Sequence, residues 1–378
     1  MSNWALVLHI YQPPNQRPDI LELVARESYD GLLDFLATVK APMTLNVTGS
    51  LTEQLALSGR HETLERLKQV WKNPNVTFTT TGYTHALMPL WADEIVTDQL
   101  QQNLLIQRQY LDAKFSAAGA WLPECAYQSR LESILNKEGV KWTIVDESSV
   151  AGSYRPAVRR ADGELRLAVR HRALSQALAT DVEQFATELE SQEGDVVAAL
   201  DGEVFGHFDP RALDRLREVF DRFGDRLVSV EKLTAGQLPH AELRPSTWET
   251  SDTDRLRQKP YPLWQDRLNP IHRQMWRLYK DVWRHFDSSG SFREEEWVKR
   301  HFTNAISSCW FWWSNPRRTA GPFKMRIWNP DMIVEGLTEL IKAVRSDPRM
   351  TPRTKWQLET RYADLLKLVW RTHWKLRS

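Results

Sequence analysis

The chain has 378 residues, 42% of them hydrophobic and 26% charged, which supplies apolar material for a large core and excludes a lone peptide module or a disordered chain. Lys and Arg number 50 against 49 Asp and Glu, a net charge of +1, so there is no basic excess to attract a nucleic acid or an anionic bilayer. Two cysteines, Cys125 and Cys309, stand in no metal-ligand spacing and exclude a disulfide framework or a thiolate zinc site.

The opening MSNWALVLHIYQPP has a short apolar run stopped by Pro13 and Pro14 and no basic leader. It reads as a first strand rather than a signal peptide or membrane span, and a cytoplasmic location is expected. Strand-like runs follow one another at 5–10, 43–47, 76–81, 120–123, 142–146, 196–200 and 226–230, alternating with amphipathic helical patterns at 20–39, 62–71, 92–115, 129–138, 181–190 and 210–223. That cadence implies parallel strands joined by right-handed crossovers. Seven strands suit a closed barrel; an open doubly wound sheet is the alternative, but Gln12-Pro13-Pro14-Asn15 stands where its Gly-rich turn would be. The stretch AVRRADGELRLAVRHR at 157–172 reads as a hairpin insertion around Asp162-Gly163. From Pro239 to Asp254 the chain is rich in Pro, Ser and Thr, and beyond it only helical patterns remain. We therefore expect two domains: 1–245 as an α/β barrel, and 246–378 as a helical domain packed on it and contributing aromatic residues to the cleft. Trp356, Trp370 and Trp374 are expected to form the apolar stripe of the last helix, and Cys125 to be a packing residue.

In a parallel barrel the working side chains gather at the C-terminal ends of the strands. Here those ends carry His9, Asn46, His85, Glu124, Asp146 and Asp201. A pair of carboxylates across a cleft is the minimal machinery for glycoside cleavage, one attacking the anomeric carbon and the other protonating the leaving oxygen. Glu124 suits the first role, and Asp201 the second if burial and the charge of Glu124 raise its pKa. No cofactor is expected.

The segments HIYQPP (9–14), TLNVTGSLTEQL (44–55), TTTGYTHALMPL (79–90), AWLPECAY (120–127), LDGEVFGHF (200–208) and SSCWFWW (307–313) occur in this order. In that order they resemble glycoside hydrolase family 57, a family acting on α-glucans, and YPLWQDRLNPIH (261–272) is similar to a segment of its helical region. The resemblance implies a distorted (β/α)7 barrel followed by a helical domain, and a retaining hydrolase or glucanotransferase of the amylase, transferase or branching type. Glu124 matches the family's nucleophile and Asp201 its general acid/base. His9, Gln12 and His85 match positions that would hydrogen-bond the sugar at the cleavage point, and Trp121, Phe205, His207 and Trp310 fall in motif positions near the cleft. Trp248, in RPSTWET at the domain junction, is a further substrate-binding candidate. Among the segment's aromatic residues Trp310 is the expected sugar contact, with Phe311 buried.

Two positions depart from the family pattern. Tyr11 replaces a histidine in the first motif, and Cys309 replaces an acidic residue before Trp310. Two further readings stay open. One is a metal-dependent deacetylase or mannosidase-like hydrolase using His9, His85, His207 and Asp146, though their spacing is not metal-like. The other is a non-catalytic glucan-binding protein on the same scaffold.

Overall fold

The computed structural model describes residues 2–160, 162–316 and 327–377. By contacts the chain divides into two compact units, Met1–Leu256 and Arg257–Ala320 with Lys324–Ser378.

The first unit is a closed barrel of seven parallel strands. They are β1 (Trp4–Ile10), β2 (Met43–Val47), β3 (Val76–Thr80), β4 (Gly119–Ala120), β5 (Trp142–Asp146), β7 (Arg166–Arg170) and β8 (Val196–Asp201), with β6 (Ala157–Val158) outside the ring. Around the barrel the order is β1, β2, β3, β4, β5, β7, β8, and β8 returns to β1. Alternation along each strand sorts the side chains. Trp4, Leu6, Leu8 and Ile10 of β1 join Leu45, Phe78, Val196 and Ala198 in the apolar layer shared with the helices. Ala5 and Val7 join Trp142, Ile144, Ala168, Val197 and Ala199 in a second cluster filling the interior. The next inward position on β1 is His9, in register with Asn46 of β2 and Asp201 of β8, and Asn46 is in register with Thr79 of β3. Polar residues at the last inward positions of β1, β2, β3 and β8 thus form one layer above an apolar plug.

The seven-stranded barrel and the mostly helical second part match the expectation, with one exchange among the strands. The seventh strand is β7, inside the expected hairpin insertion, and not 226–230. The hairpin exists, since β6 pairs antiparallel with β7, but β7 also runs parallel to β5 over five positions. Leu227 makes a single bridge to Trp4, and Ser229 then accepts a bond from Lys232 N, capping the short helix Val230–Leu233 and ending any strand there. The junction between β7 and β8 is sparse, with one register pair, Arg170 with Val197. Side chains complete it: Val197 N donates to Tyr154 OH, Ala199 N to Ser175 Oγ, and Arg170 Nε to the Ala199 carbonyl, at 2.8–3.0 Å.

Residues 246–250, assigned to the helical part in the sequence reading, lie with the barrel. Tyr127 bridges to Ser246, and Trp248 N donates to the Glu124 carbonyl at 3.1 Å.

The second unit is helical, its longer helices being Pro270–Ser289, Glu296–Ala305, Pro330–Ser346 and Pro352–Arg377. Asn269 and Asn329 cap the first and third through their side chains, each followed by a proline whose missing N–H costs nothing there. In YPLWQDRLNPIH, buried His272 accepts from Asp266 N and bonds the Phe311 carbonyl, a structural role for that segment. The expected tryptophan stripe on the last helix is not its buried face. Trp356, Trp370 and Trp374 are 68%, 37% and 65% exposed, whereas Leu358, Leu365 and Val369 are buried; at 3.6 residues per turn the two sets fall on opposite sides. Among the described residues no helix is long and apolar enough to cross a membrane.

Candidate active site

The layer above the barrel interior holds a chain of buried polar contacts. His9 Nδ1 lies 2.7 Å from Asn46 Oδ1, and His9 Nε2 lies 3.0 Å from His85 Nε2. Two aromatic rings flank this pair, Trp121 on His9 at 4.9 Å and Tyr11 on His85 at 4.1 Å, and the two imidazoles are themselves near-parallel with centroids 4.8 Å apart. Tyr11 thus continues the stack. Burial pushes the pKa of His9 down to about 4 against a smaller opposing contribution from Asn46. Burial and the neighbouring His9 hold His85 well below the usual imidazole range. Both rings are neutral at neutral pH.

Glu124 stands on the loop after β4, in a short 3-10 turn entered through Pro123. Its backbone is left-handed (φ 62°), as are those of Cys125 (φ 48°) and His85 (φ 62°), a conformation costing non-glycine residues roughly 1–2 kcal/mol. Bonds on both sides hold it: Cys125 N to the Leu122 carbonyl, Ala126 N to the Pro123 carbonyl and Trp248 N to the Glu124 carbonyl. The strained backbone turns the carboxylate toward the mouth, where Trp248 Nε1 donates to Oε2 at 2.9 Å and His85 Nδ1 lies 3.8 Å from Oε1. Trp248 stands edge-on to Trp121 at 5.5 Å, with the Arg170 guanidinium over its ring at 5.5 Å. Cys125 is fully buried, and burial pushes its thiol well up, so it packs rather than reacts.

Asp201 ends β8 at the same height as His9. Burial raises its pKa well above the carboxylate range, followed by the charges of Glu203 and Glu124; Arg170 opposes them. A carboxyl in such surroundings keeps a proton that an ordinary aspartate would lose.

The sequence reading missed Glu203, Tyr29 and the two arginines that partner the anticipated Asp146. Glu203, two residues past Asp201, is buried and accepts bonds from Tyr29 OH, Tyr11 N (3.2 Å) and Gln12 Nε2 (3.4 Å). Burial raises its pKa as well. Tyr29 closes a π-helical turn, Ala25–Tyr29, inserted between two α-helices; no composition signal marks such a turn. The arginines belong to an ion cluster in which fully buried Asp146 meets Arg170 at 3.0 Å and Arg172 at 2.6 Å. Burial would raise the Asp146 pKa, but Arg172 and Arg170 outweigh it and hold the group ionised. Arg172 also donates to the Thr250 carbonyl at 2.9 Å, tying down the segment that carries Trp248.

Of the residues anticipated, His9, His85, Trp121, Glu124, Asp201 and Trp248 converge. Gln12 serves the site through Glu203 and Tyr29. Phe205 does not face the mouth: it is fully buried in the layer between strands and helices, because Gly206 (φ 129°) lets the chain approach Glu27 so closely that a Cβ would lie 1.9 Å from its carbonyl oxygen. His207 pairs with Glu27, its Nδ1 2.7 Å from Oε2. Trp310 is a core residue of the helical unit. It is fully buried and donates to the Asn304 carbonyl at 2.8 Å, and it packs on Gly336, where a Cβ would come within 2.3 Å of its ring. Asp146 acts through its arginines. Among the described residues no three His, Cys, Asp or Glu side chains are arranged to hold a metal ion.

The model of glycosyl hydrolase family 57 matches residues 11–234, and the chain belongs to that family. Its fold is shared with the family-57 branching enzyme of Thermococcus kodakaraensis (15% identity, TM-score 0.69, covering 95% of this chain and 94% of that one). The branching enzyme of Pyrococcus horikoshii is similar too (16%, TM-score 0.70, 96% and 95%). So is the 4-α-glucanotransferase of Thermococcus litoralis (17%, TM-score 0.70), where the match covers 91% of this chain but spans 60% of the longer enzyme. A search of curated proteins finds no match.

Proposed function

We propose that this protein is an α-glucan-active enzyme working by retaining double displacement, with Glu124 as nucleophile and Asp201 as general acid/base. The observation that carries the reading is the contrast between the two carboxyls: Asp201 is driven toward its protonated form in part by the charge of Glu124, while Glu124 accepts the Trp248 N–H. A buried carboxyl that holds its proton beside a second one that accepts a hydrogen bond suits a division into acid and nucleophile. In the first step a Glu124 oxygen bonds the anomeric carbon as the glycosidic C–O bond breaks, and the Asp201 proton passes to the departing oxygen. In the second, Asp201 takes the proton of an incoming hydroxyl, whose oxygen bonds the anomeric carbon and frees Glu124. Water as acceptor gives hydrolysis, and a sugar hydroxyl gives chain transfer. Family membership and the likeness to a 4-α-glucanotransferase and to branching enzymes support an α-glucan as the substrate class. Incubation with maltooligosaccharides and amylose is expected to give shorter, longer or branched products, with Glu124→Gln inert and Asp201→Asn strongly impaired. Unchanged substrates with the wild type, or products that persist in Glu124→Gln, would overturn the assignment.

A further inference from the structure

A buried amide beneath the site dictates where the neighbouring imidazoles carry their protons. Asn46 Nδ2 lies 2.7 Å from Thr79 Oγ1, 3.3 Å from the Thr79 carbonyl and 3.4 Å from the Thr80 carbonyl. Carbonyl oxygens only accept, so the amide nitrogen faces them and Oδ1 faces His9. At 2.7 Å from that oxygen, His9 Nδ1 must carry a hydrogen. The neutral ring then offers a lone pair at Nε2, and His85 Nε2, 3.0 Å away, must be the donor. His85, neutral in turn, keeps no hydrogen on Nδ1, the nitrogen 3.8 Å from Glu124 Oε1.

We propose that Asn46 is a positioning residue: acting through His9, it locks His85 as the Nε2–H tautomer, so that the ring meets Glu124 and a sugar hydroxyl as an acceptor. The consequence for catalysis rests on the function proposed above. The reverse relay would put a hydrogen on His85 Nδ1, aim it at Glu124 and draw charge from the attacking oxygen. Among the described residues, the charged and titratable groups around His85 include His9 from β1, Glu124 from the loop after β4 and the stacked Tyr11 ring. Asp201 on β8 is level with His9.

NMR of the whole protein labelled with 15N-histidine, its signals assigned with His9→Gln and His85→Gln, reads the relay without substrate. Neutral rings with hydrogen on His9 Nδ1 and His85 Nε2 are expected at neutral pH; hydrogen on His85 Nδ1, or a doubly protonated His85, overturns the proposal. Asn46→Asp supplies a carboxylate beside His9 Nδ1, favours a second proton on His9, and turns its Nε2 into a donor, so that the hydrogen on His85 moves to Nδ1. The expected result is an inverted His85 15N pattern at acidic pH, where His9 takes up its second proton at a higher pH than in the wild type, and an acid limb of kcat/KM moved up by about one pH unit or more. Activity lost equally at every pH would mark Asn46 as merely structural and overturn its positioning role. If this variant does not fold, the wild-type spectrum still decides. Predicted tautomers in a protein inert on glucans would remove the proposed function and leave the relay, whereas an active enzyme with hydrogen on His85 Nδ1 would do the reverse.

Discussion

Replacing Trp248 by Phe removes one N–H donor, with the smaller ring of the indole, and spares most of what surrounds it. The backbone bond from residue 248 to the Glu124 carbonyl, the edge-on contact with Trp121 and the cation–ring contact with Arg170 can all persist. What goes is the 2.9 Å bond from the indole N–H to Glu124 Oε2. A hydrogen bond to a charged group contributes about 1.5–3 kcal/mol. It is strongest while Glu124 is a free carboxylate and weakest in the glycosyl ester. Its loss therefore burdens the second step, in which charge returns to Glu124 as the leaving group. With about half the charge restored in the transition state, the barrier rises by about 0.75–1.5 kcal/mol, slowing that step roughly three- to tenfold. Stopped-flow kinetics with an activated glycosyl donor are expected to show a larger burst and a slower steady rate, kcat and KM falling together, and mass spectrometry should find glycosylated Glu124 accumulating. A wild-type kcat, or a lower kcat with no accumulated intermediate, would refute the role given to this bond.

Other variants probe the surroundings. Glu203→Gln removes the largest charge contribution holding Asp201 protonated; since a raised carboxyl pKa keeps the acid form to higher pH, its loss should move the basic limb of kcat/KM to lower pH, measured as a full pH profile. Gly336→Ala drives a Cβ to 2.3 Å from the Trp310 ring and should cost about 1–3 kcal/mol in chemical denaturation. Asp146→Asn strands two arginines in the barrel mouth and should destabilise by about 3–5 kcal/mol. In the wild type the Asp146 pKa is lowered on folding, so its stabilisation is present above the ordinary carboxylate range and disappears as pH falls through the depressed value. Urea titrations of wild type and variant should therefore converge toward low pH.

Much of the barrel and its mouth was legible because strand alternation is a local signal. A polar residue ending an inward row, as in His9, Asn46, Asp146 and Asp201, stands out against apolar neighbours whatever the rest of the chain does. The seventh strand was not legible. Arg166–Arg170 and 226–230 are each five residues long with three apolar side chains, and the first follows a Gly turn that marks it as one arm of a hairpin; only the closure of the ring and the Ser229 cap decide between them. Trp310 and Gly336 are far apart in sequence, and nothing at either position announces that one fills the space left by the other. Glu203 lay inside a motif already noted, but its neighbour Tyr29 depends on one π-helical turn.

The thin junction between β7 and β8 has a consequence for how the barrel comes apart. β8 is joined to β1 over six register pairs and β5 to β7 over five, against the single pair that closes the ring. The barrel is better pictured as a curled ribbon fastened by a clasp, made largely of Tyr154, Ser175 and Arg170 side chains. Opening should begin at the clasp, where amide exchange at Val197 and Ala199 would outpace that of the β1 and β2 core. Because Arg170 is both part of the clasp and the cation over Trp248, unfastening it would slacken the grip on Glu124 before the rest of the ribbon uncurls.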